Sequence, residues 1–426
     1  MKELSSLNPY LAKYKYRILF GCIFIALSNW FGVFPAQIIR LAFDLVKDNL
    51  ANYLLTSGFE NQAILKSIII QIALLFGALI VLISIIKGVF MFFMRQTIIV
   101  VSRLIEYDLK NVIYQKYQVL NLSFYRVNNT GDLMNRVSED VSRVRMYIGP
   151  AIMYTLNLIV LFVLVISTMI SVNPMLTFYA LLPLPLLFVA IYYVQNTINT
   201  KSENIQAQLS ILTTTVQETF SGIRIIKAFG REQQLADRFA ADSEVYKTKS
   251  MELVKVQAVF FPTILGLIGI STLLTVYFGG KEVINGSITA GNIAEFIVYV
   301  NILTWPVASV GWVTSLVQRA AASQKRINEF LDLKPEITNP STIPFEFTHS
   351  IEFRNVSFTY PETNITAIDQ LSFTLTKGQT LAIVGKTGSG KSTISNLISR
   401  MIDVSSGSIL IDNQEPYMKV KIECEE

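Results

Sequence analysis

Residues 146–200, MYIGPAIMYTLNLIVLFVLVISTMISVNPMLTFYALLPLPLLFVAIYYVQNTINT, run without a single Asp, Glu, Lys or Arg. A helix needs about 20 apolar residues to cross the hydrocarbon core of a bilayer. This stretch is long enough for two crossings, and Ser171-Val172-Asn173-Pro174 has the turn chemistry that divides it into a hairpin. Four further runs carry no charge: 18–39, 67–86, 256–280 and 296–318. Six spanning helices are therefore expected, near 18–39, 67–94, 146–171, 174–197, 256–280 and 292–318, because in lipid the backbone must satisfy its own hydrogen bonds. Composition agrees: 51% of the residues are hydrophobic and only 16% charged, with a mean hydropathy of +0.45. A soluble domain carries about 25% charged residues.

Basic residues orient the spans. The segment between the second and third spans holds Arg95, Arg103, Lys110, Lys116, Arg126, Arg136, Arg143 and Arg145. The segment between the fourth and fifth holds Lys201, Arg224, Lys227, Arg231, Arg238, Lys247, Lys249 and Lys255. The opposite connections are poor in basic residues. Both long segments, and with them both termini, are therefore expected in the cytoplasm, in a multi-pass protein of the inner or plasma membrane. Each segment reads as helix with few breakers, and two arms of about 1.5 Å per residue would reach on the order of 35–40 Å below the bilayer. The stretch 4–15 reads as an interfacial helix leading into the first span. Pro183, Pro185, Pro262 and Pro306 are expected to kink helices. Trp305, Tyr299, Tyr193 and Tyr192 are expected in an interfacial belt or in helix packing. The runs themselves suggest that no charged residue lies inside a span. That speaks against ion coupling and points to an apolar or amphipathic substrate. Cys22 and Cys424 suggest neither a disulfide nor a metal site. The net charge of +5 suits arms beside anionic lipid rather than nucleic acid.

The texture changes after residue 333. Pro340 and Pro344 mark a linker over 334–350, and from Ile351 the pattern alternates as a strand does: Ile351, Phe353, Val356, Phe358, then Leu371, Phe373 and Leu375. Thr380-Leu381-Ala382-Ile383-Val384 reads as a further strand, expected in the middle of a parallel sheet. It leads into Gly385-Lys386-Thr387-Gly388-Ser389-Gly390-Lys391-Ser392-Thr393 and then a helical pattern. That order is the context of a phosphate-binding loop. Gly385, Gly388 and Gly390 let backbone N–H groups converge on phosphate oxygens. The helix N-terminus adds its dipole, and Lys391 brings a cation to the β- and γ-phosphates. The Ser392 hydroxyl is the natural ligand for Mg²⁺ arriving with ATP, and Thr393 is placed to reach a phosphate oxygen.

These residues together resemble the ATP-binding cassette exporters, in the half-transporter form with six spans and one nucleotide-binding domain. Phe124-Tyr125-Arg126, Thr130-Gly131-Asp132-Leu133-Met134-Asn135-Arg136-Val137 and Asp140-Val141 are similar to that family's first coupling segment, near 121–137. Gln217-Glu218-Thr219-Phe220-Ser221-Gly222-Ile223-Arg224-Ile225-Ile226-Lys227-Ala228-Phe229-Gly230 are similar to its second, near 212–230. Tyr360 matches the aromatic that stacks on adenine in the family. The resemblance implies a mostly helical transmembrane domain over 1–333 and an α/β P-loop domain from 351 to 426. It also implies ATP and Mg²⁺, and a second half-transporter as partner in a homodimer or heterodimer. The function implied is export of an amphipathic lipid or drug-like substrate.

The chain departs from the family after Ile411-Asp412. No Leu-Ser-Gly-Gly occurs, the sole histidine, His349, precedes the domain, and no Walker B strand or glutamine loop is recognisable. The nucleotide domain therefore reads as incomplete, a premature end with no catalytic residue to name. Two readings stand side by side: a truncated ATP-driven exporter half, or a non-hydrolysing membrane protein that retains only a P-loop.

Overall fold

The computed structural model describes residues 2–55, 59–335, 337 and 347–413. The chain falls into two compact units, one formed by residues 8–103 and 146–319, the other by 1–7, 104–145 and 320–426.

Helices dominate the first unit. A short helix α1 (Asn8–Lys13) precedes α2 (Lys15–Leu55) and α3 (Phe59–Val119), which runs on beyond this unit. A short α4 (Leu122–Val127), which belongs to the second unit, then leads into a composite helix shared in sequence by both units. It comprises α5 (Thr130–Asn135), a π-turn (Arg136–Asp140), α6 (Val141–Met146), a second π-turn (Tyr147–Ala151) and α7 (Ile152–Val172). Next come α8 (Pro174–Leu181), α9 (Pro183–Ser221), α10 (Ile223–Ala228), α11 (Glu232–Ile284) and α12 (Ala290–Leu331). Among the described residues six helices are long and apolar enough to span: Lys15–Asn49, Leu65–Val119, Thr130–Val172, Pro174–Ser221, Glu232–Ile284 and Ala290–Leu331. The most apolar of them, α3, exposes Leu74, Leu75, Val81 and Ile85, a surface that water would not leave uncovered.

Local chemistry explains the hairpin between α7 and α8. Asn173 is extended, as a residue before proline must be. Its side chain accepts a hydrogen bond from Leu176 N at 2.9 Å, capping α8. The two helices then pack into one core with α2 and α12, through Val33, Ala36, Val165, Met169, Leu176, Phe296, Tyr299 and Leu303. Tyr179 stacks on Phe278 of α11 with centroids 3.7 Å apart. Of the prolines, Pro183 opens α9 after a one-residue break, whereas Pro262 and Pro306 sit inside α11 and α12. The second arm is an antiparallel pair of α9 and α11. Lys201 donates to Glu252 at 2.7 Å, Lys249 donates to Gln208 at 3.1 Å, and Gln208 donates to the Asp242 carbonyl at 3.2 Å.

Against expectation, charge does enter the spans. Lys87 lies within α3, and Glu295, one residue before the charge-free run of α12, is fully buried. Arg40 of α2 donates to Glu295 Oε2 at 3.1 Å, Tyr299 donates to Oε1 at 2.8 Å, and Asn292 to Oε2 at 3.4 Å. A buried carboxylate survives only with such partners, and these come from a helix more than two hundred residues upstream as well as from its own.

In the second unit, β1 (Ser350–Tyr360), β2 (Ile365–Thr376) and β3 (Ser406–Ile411) form an antiparallel sheet in the order β2-β1-β3, with α13 (Lys391–Ile398) packed against it. The three-residue step from Phe353 to Val356 in the apolar pattern is a β-bulge. Asn355 is left-handed there (φ 46°), and the register shifts. Phe353, Val356, Phe358, Ile368, Ile394, Leu397, Ile402 and Ile409 make the core. The strand expected at 380–384 is absent: those residues are exposed, Val384 by 94%. A strand exists only by pairing, and among the described residues no segment lies beside this one to supply a ladder.

Asp412 closes the far edge of this sheet. It accepts from Thr348 N at 2.6 Å, His349 N at 2.6 Å, Ser350 N at 2.9 Å and the Thr348 hydroxyl at 2.8 Å. Burial works against its ionisation, but those donors hold the carboxyl well below the usual carboxylate range. Its contribution is therefore complete above the ordinary aspartate pKa of about 4 and is lost as pH falls through the lower folded value. Asp412→Asn is expected to lower amide protection at Thr348, His349 and Ser350 at neutral pH, and to flatten the acid loss expected of the unsubstituted chain. Hydrogen exchange corrected for intrinsic rates reads this, and unchanged protection at pH 7 would contradict it.

Candidate nucleotide-binding loop

Residues 385–390 form an exposed turn, and α13 begins at Lys391. Gly388 and Gly390 hold φ of 84° and 87°, a region in which a side chain is strained. At Gly390 space forbids one as well, because a Cβ would strike the Ala367 carbonyl oxygen of β2. The loop therefore passes over the sheet at a distance only glycine permits. Thr393 N and Ile394 N donate to Gly390 O at 3.0 and 3.2 Å, so the helix starts directly from the turn. Its first N–H groups point back along the axis, with the positive end of the dipole.

Lys391 folds over this turn. Its ammonium donates to Gly385 O at 2.8 Å and Lys386 O at 2.7 Å, and lies 3.4 Å from Ser389 Oγ. Ser389 N in turn donates to Lys386 O at 3.2 Å. Lys386, Thr387, Ser389 and Ser392 are exposed, and Lys391 is partly so. The cation, the helix N-terminus and the turn thus converge on one accessible point, a place suited to a polyanion.

Two expected site residues meet in a way the sequence does not announce. Thr393 is buried, and its hydroxyl lies 2.9 Å from the Tyr360 hydroxyl. The structure therefore places it toward the tyrosine rather than toward the loop's open side. The Tyr360 ring packs edge-on to Phe358 with centroids 4.9 Å apart. The Arg126 guanidinium of α4 lies 5.1 Å from the Tyr360 centroid. Along the sequence Arg126 stands out only as part of the first coupling segment. No signal in the chain links it to a tyrosine more than two hundred residues later.

The same unit ties that segment together. Asp140 is buried and accepts from Ser323 at 2.8 Å and from the Arg326 guanidinium, by Nε at 3.0 Å and by Nη2. Phe330 packs against Tyr117 (4.6 Å) and Phe124 (5.9 Å), and the Arg136 guanidinium lies 5.3 Å from its ring. In the first unit the stretch 212–230 carries exposed apolar side chains, Phe220 and Phe229, 70% and 75% exposed.

Both parts of the chain match known proteins. The ABC transporter transmembrane region model matches residues 18–307, and the ABC transporter model matches residues 368–425. The second match contains the loop 385–393 and begins after Tyr360. The Escherichia coli (strain K12) multidrug resistance-like ATP-binding protein MdlA is 33% identical over 79% of this chain and 57% of its own length. The Bacillus subtilis (strain 168) probable multidrug resistance ABC transporter ATP-binding/permease protein YheI is 29% identical over 95% of this chain and 67% of its own. The ATP-dependent lipid A-core flippase of Syntrophus aciditrophicus (strain SB) is 30% identical over 79% of this chain and 56% of its own. The chain thus spans somewhat more than half to two thirds of these relatives' lengths.

Proposed function

The chain belongs to the ABC transporter family, and on that premise we propose that it is one half of a dimeric, ATP-driven exporter of amphipathic or hydrophobic molecules. The observation that carries the proposal is the loop: a cation, glycine turns and a helix N-terminus at one exposed point, in the same chain as six spanning helices. Lys391 is the residue for the β- and γ-phosphates. Gly385, Gly388 and Gly390, with Lys386 and Thr387, offer their main-chain N–H groups, and Ser389 its exposed hydroxyl. Ser392, at the first turn of α13, would hold Mg²⁺ together with the phosphates. That ion would supply positive charge against the phosphoryl oxygens. Tyr360 is the adenine platform in this reading, with Thr393 fixing its hydroxyl and Arg126 covering its ring.

The relatives' names speak of multidrug resistance and of lipid A-core, which supports an apolar or amphipathic cargo. The basic segments support a cytoplasmic-membrane protein with both termini inside. The exposed Phe220 and Phe229 support contact of the second coupling segment with another domain, as a dimeric partner would provide.

Competition for a photo-crosslinkable ATP analogue on the purified chain tests the reading. ATP and ADP should displace the probe, whereas AMP, which has no β-phosphate for Lys391, should fail at equal concentration. Equal competition by AMP would overturn the assignment of the loop. The platform is tested separately. Tyr360→Ala is expected to weaken probe binding about tenfold, since stacking of a base on an aromatic ring contributes about 1–3 kcal/mol. Tyr360→Phe keeps the ring and should bind nearly as the unsubstituted chain does. Unchanged binding in Tyr360→Ala would remove Tyr360 from the site while leaving the loop in place.

A further inference from the structure

No Asp or Glu occurs between Glu3 and Asp44, and the first span is entered through Lys13-Tyr14-Lys15-Tyr16-Arg17. Here α1 and the start of α2 stand off from α3 and the π-turn before α7, leaving a groove of about 440 Å³. Its floor is the buried trio Ile98, Val101 and Ile148, and Leu11 and Ile18 form part of its walls. Among the described residues that line it, Lys15 is the one that carries a charge. The Lys13 and Lys15 ammoniums each lie 5.2 Å from the ring of the tyrosine that follows, and both lysines remain exposed. Arg17 is exposed in the same turn.

Three properties narrow the occupant. The volume lies in the range of about 300–1,000 Å³ found for small-molecule sites. The lining is apolar on every side but one, so water fills it poorly. The exception is a cation flanked by two more cations and two tyrosines, the composition of a membrane-surface boundary facing negative charge. We propose that this groove seats one acyl chain of an acidic glycerophospholipid, whose phosphate is held by Lys15. Bound there, the lipid bridges α1, α2, α3 and α7 and fixes the angle at which the chain enters its first span. This inference needs only that α2 and α3 cross a membrane, and not the transport reading.

Cys22 lines the groove and reports its occupancy. In the full chain carrying Cys424→Ser, reconstituted in nanodiscs, alkylation of Cys22 by a small membrane-permeant maleimide is timed. Discs of phosphatidylcholine alone are compared with discs containing phosphatidylglycerol. Phosphatidylglycerol is expected to slow the reaction by 1 + [L]/Kd, about threefold at twice Kd. Each basic residue at a membrane surface strengthens acidic-lipid binding about fivefold. Lys15→Gln should therefore reduce the slowing to about 1.4-fold. Equal rates in the two lipids, or full protection retained in Lys15→Gln, overturn the proposal. So does protection that rises with the number of chains per disc instead of with acidic lipid, which would mean that a second copy covers the groove. Should Cys22 prove unreactive in every disc, Leu11→Trp is made with Trp30, Trp305 and Trp312 replaced by Phe, and chain-brominated phosphatidylglycerol must quench its tryptophan more than brominated phosphatidylcholine does. Equal quenching overturns the proposal.

Discussion

Lys391→Ala is expected to abolish nucleotide binding by this chain. The ammonium reaches two loop carbonyls at 2.8 and 2.7 Å, so it is held at the mouth of the turn, where phosphate oxygens would replace those carbonyls as acceptors. A hydrogen bond to a charged group contributes about 1.5–3 kcal/mol. With more than one phosphate oxygen in reach, the loss should be about a hundredfold or more, since each 1.4 kcal/mol is tenfold. Alanine leaves the glycine turns and the helix N-terminus intact, so the fold of β1, β2 and α13 should persist. Labelling by a photo-crosslinkable ATP analogue is the measurement, with Lys377→Ala as a control for loss of one exposed positive charge. Labelling of Lys391→Ala equal to that of the unsubstituted chain would show that the loop does not bind nucleotide through this residue.

The second large effect lies in the membrane unit. Arg40→Ala leaves the fully buried Glu295 carboxylate with only Tyr299 and Asn292 as donors. Removing one partner of a buried ion pair costs about 3–5 kcal/mol, because the remaining charge is neither solvated nor compensated. Replacing both partners by apolar groups is often neutral or stabilising. The thermal midpoint in detergent should therefore fall sharply for Arg40→Ala and recover in Arg40→Met with Glu295→Met. A single substitution that leaves the midpoint where it was would mean that Glu295 is accommodated without its arginine. The pair joins α2 to α12, so this experiment also reads how much the first and last spans depend on each other.

Much of the architecture was legible along the chain. Charge-free runs of about 20 residues identify spans because lipid excludes both unpaired backbone and unpaired charge. Asn173-Pro174 identifies a helix break because proline constrains the residue before it and asparagine caps the helix after it. Residues 385–393 read as a phosphate loop because glycine and lysine at that spacing serve a purely local geometry, and the structure has the glycine turns and the helix start there. The strand ladders of β1 and β2 were visible in their alternation, and the irregular step at Val356 already contained the bulge.

The features that the chain did not disclose always involved a partner distant in sequence. Glu295 lies one residue outside a charge-free run, and only the approach of Arg40 makes its burial tolerable. Thr393 reads as a phosphate ligand by position, yet its hydroxyl meets Tyr360, brought from β1. Arg126 over that same ring depends on α4 arriving beside the sheet. The run at 380–384 has every local mark of a strand and lacks one, since a ladder needs a neighbour and none of the described residues supplies it. Hydropathy, turn chemistry and glycine turns act over a few residues, and sequence alone determined them. Pairing of charges, rings and strands acts across tens to hundreds of residues, and only the tertiary structure decided which side chains would meet.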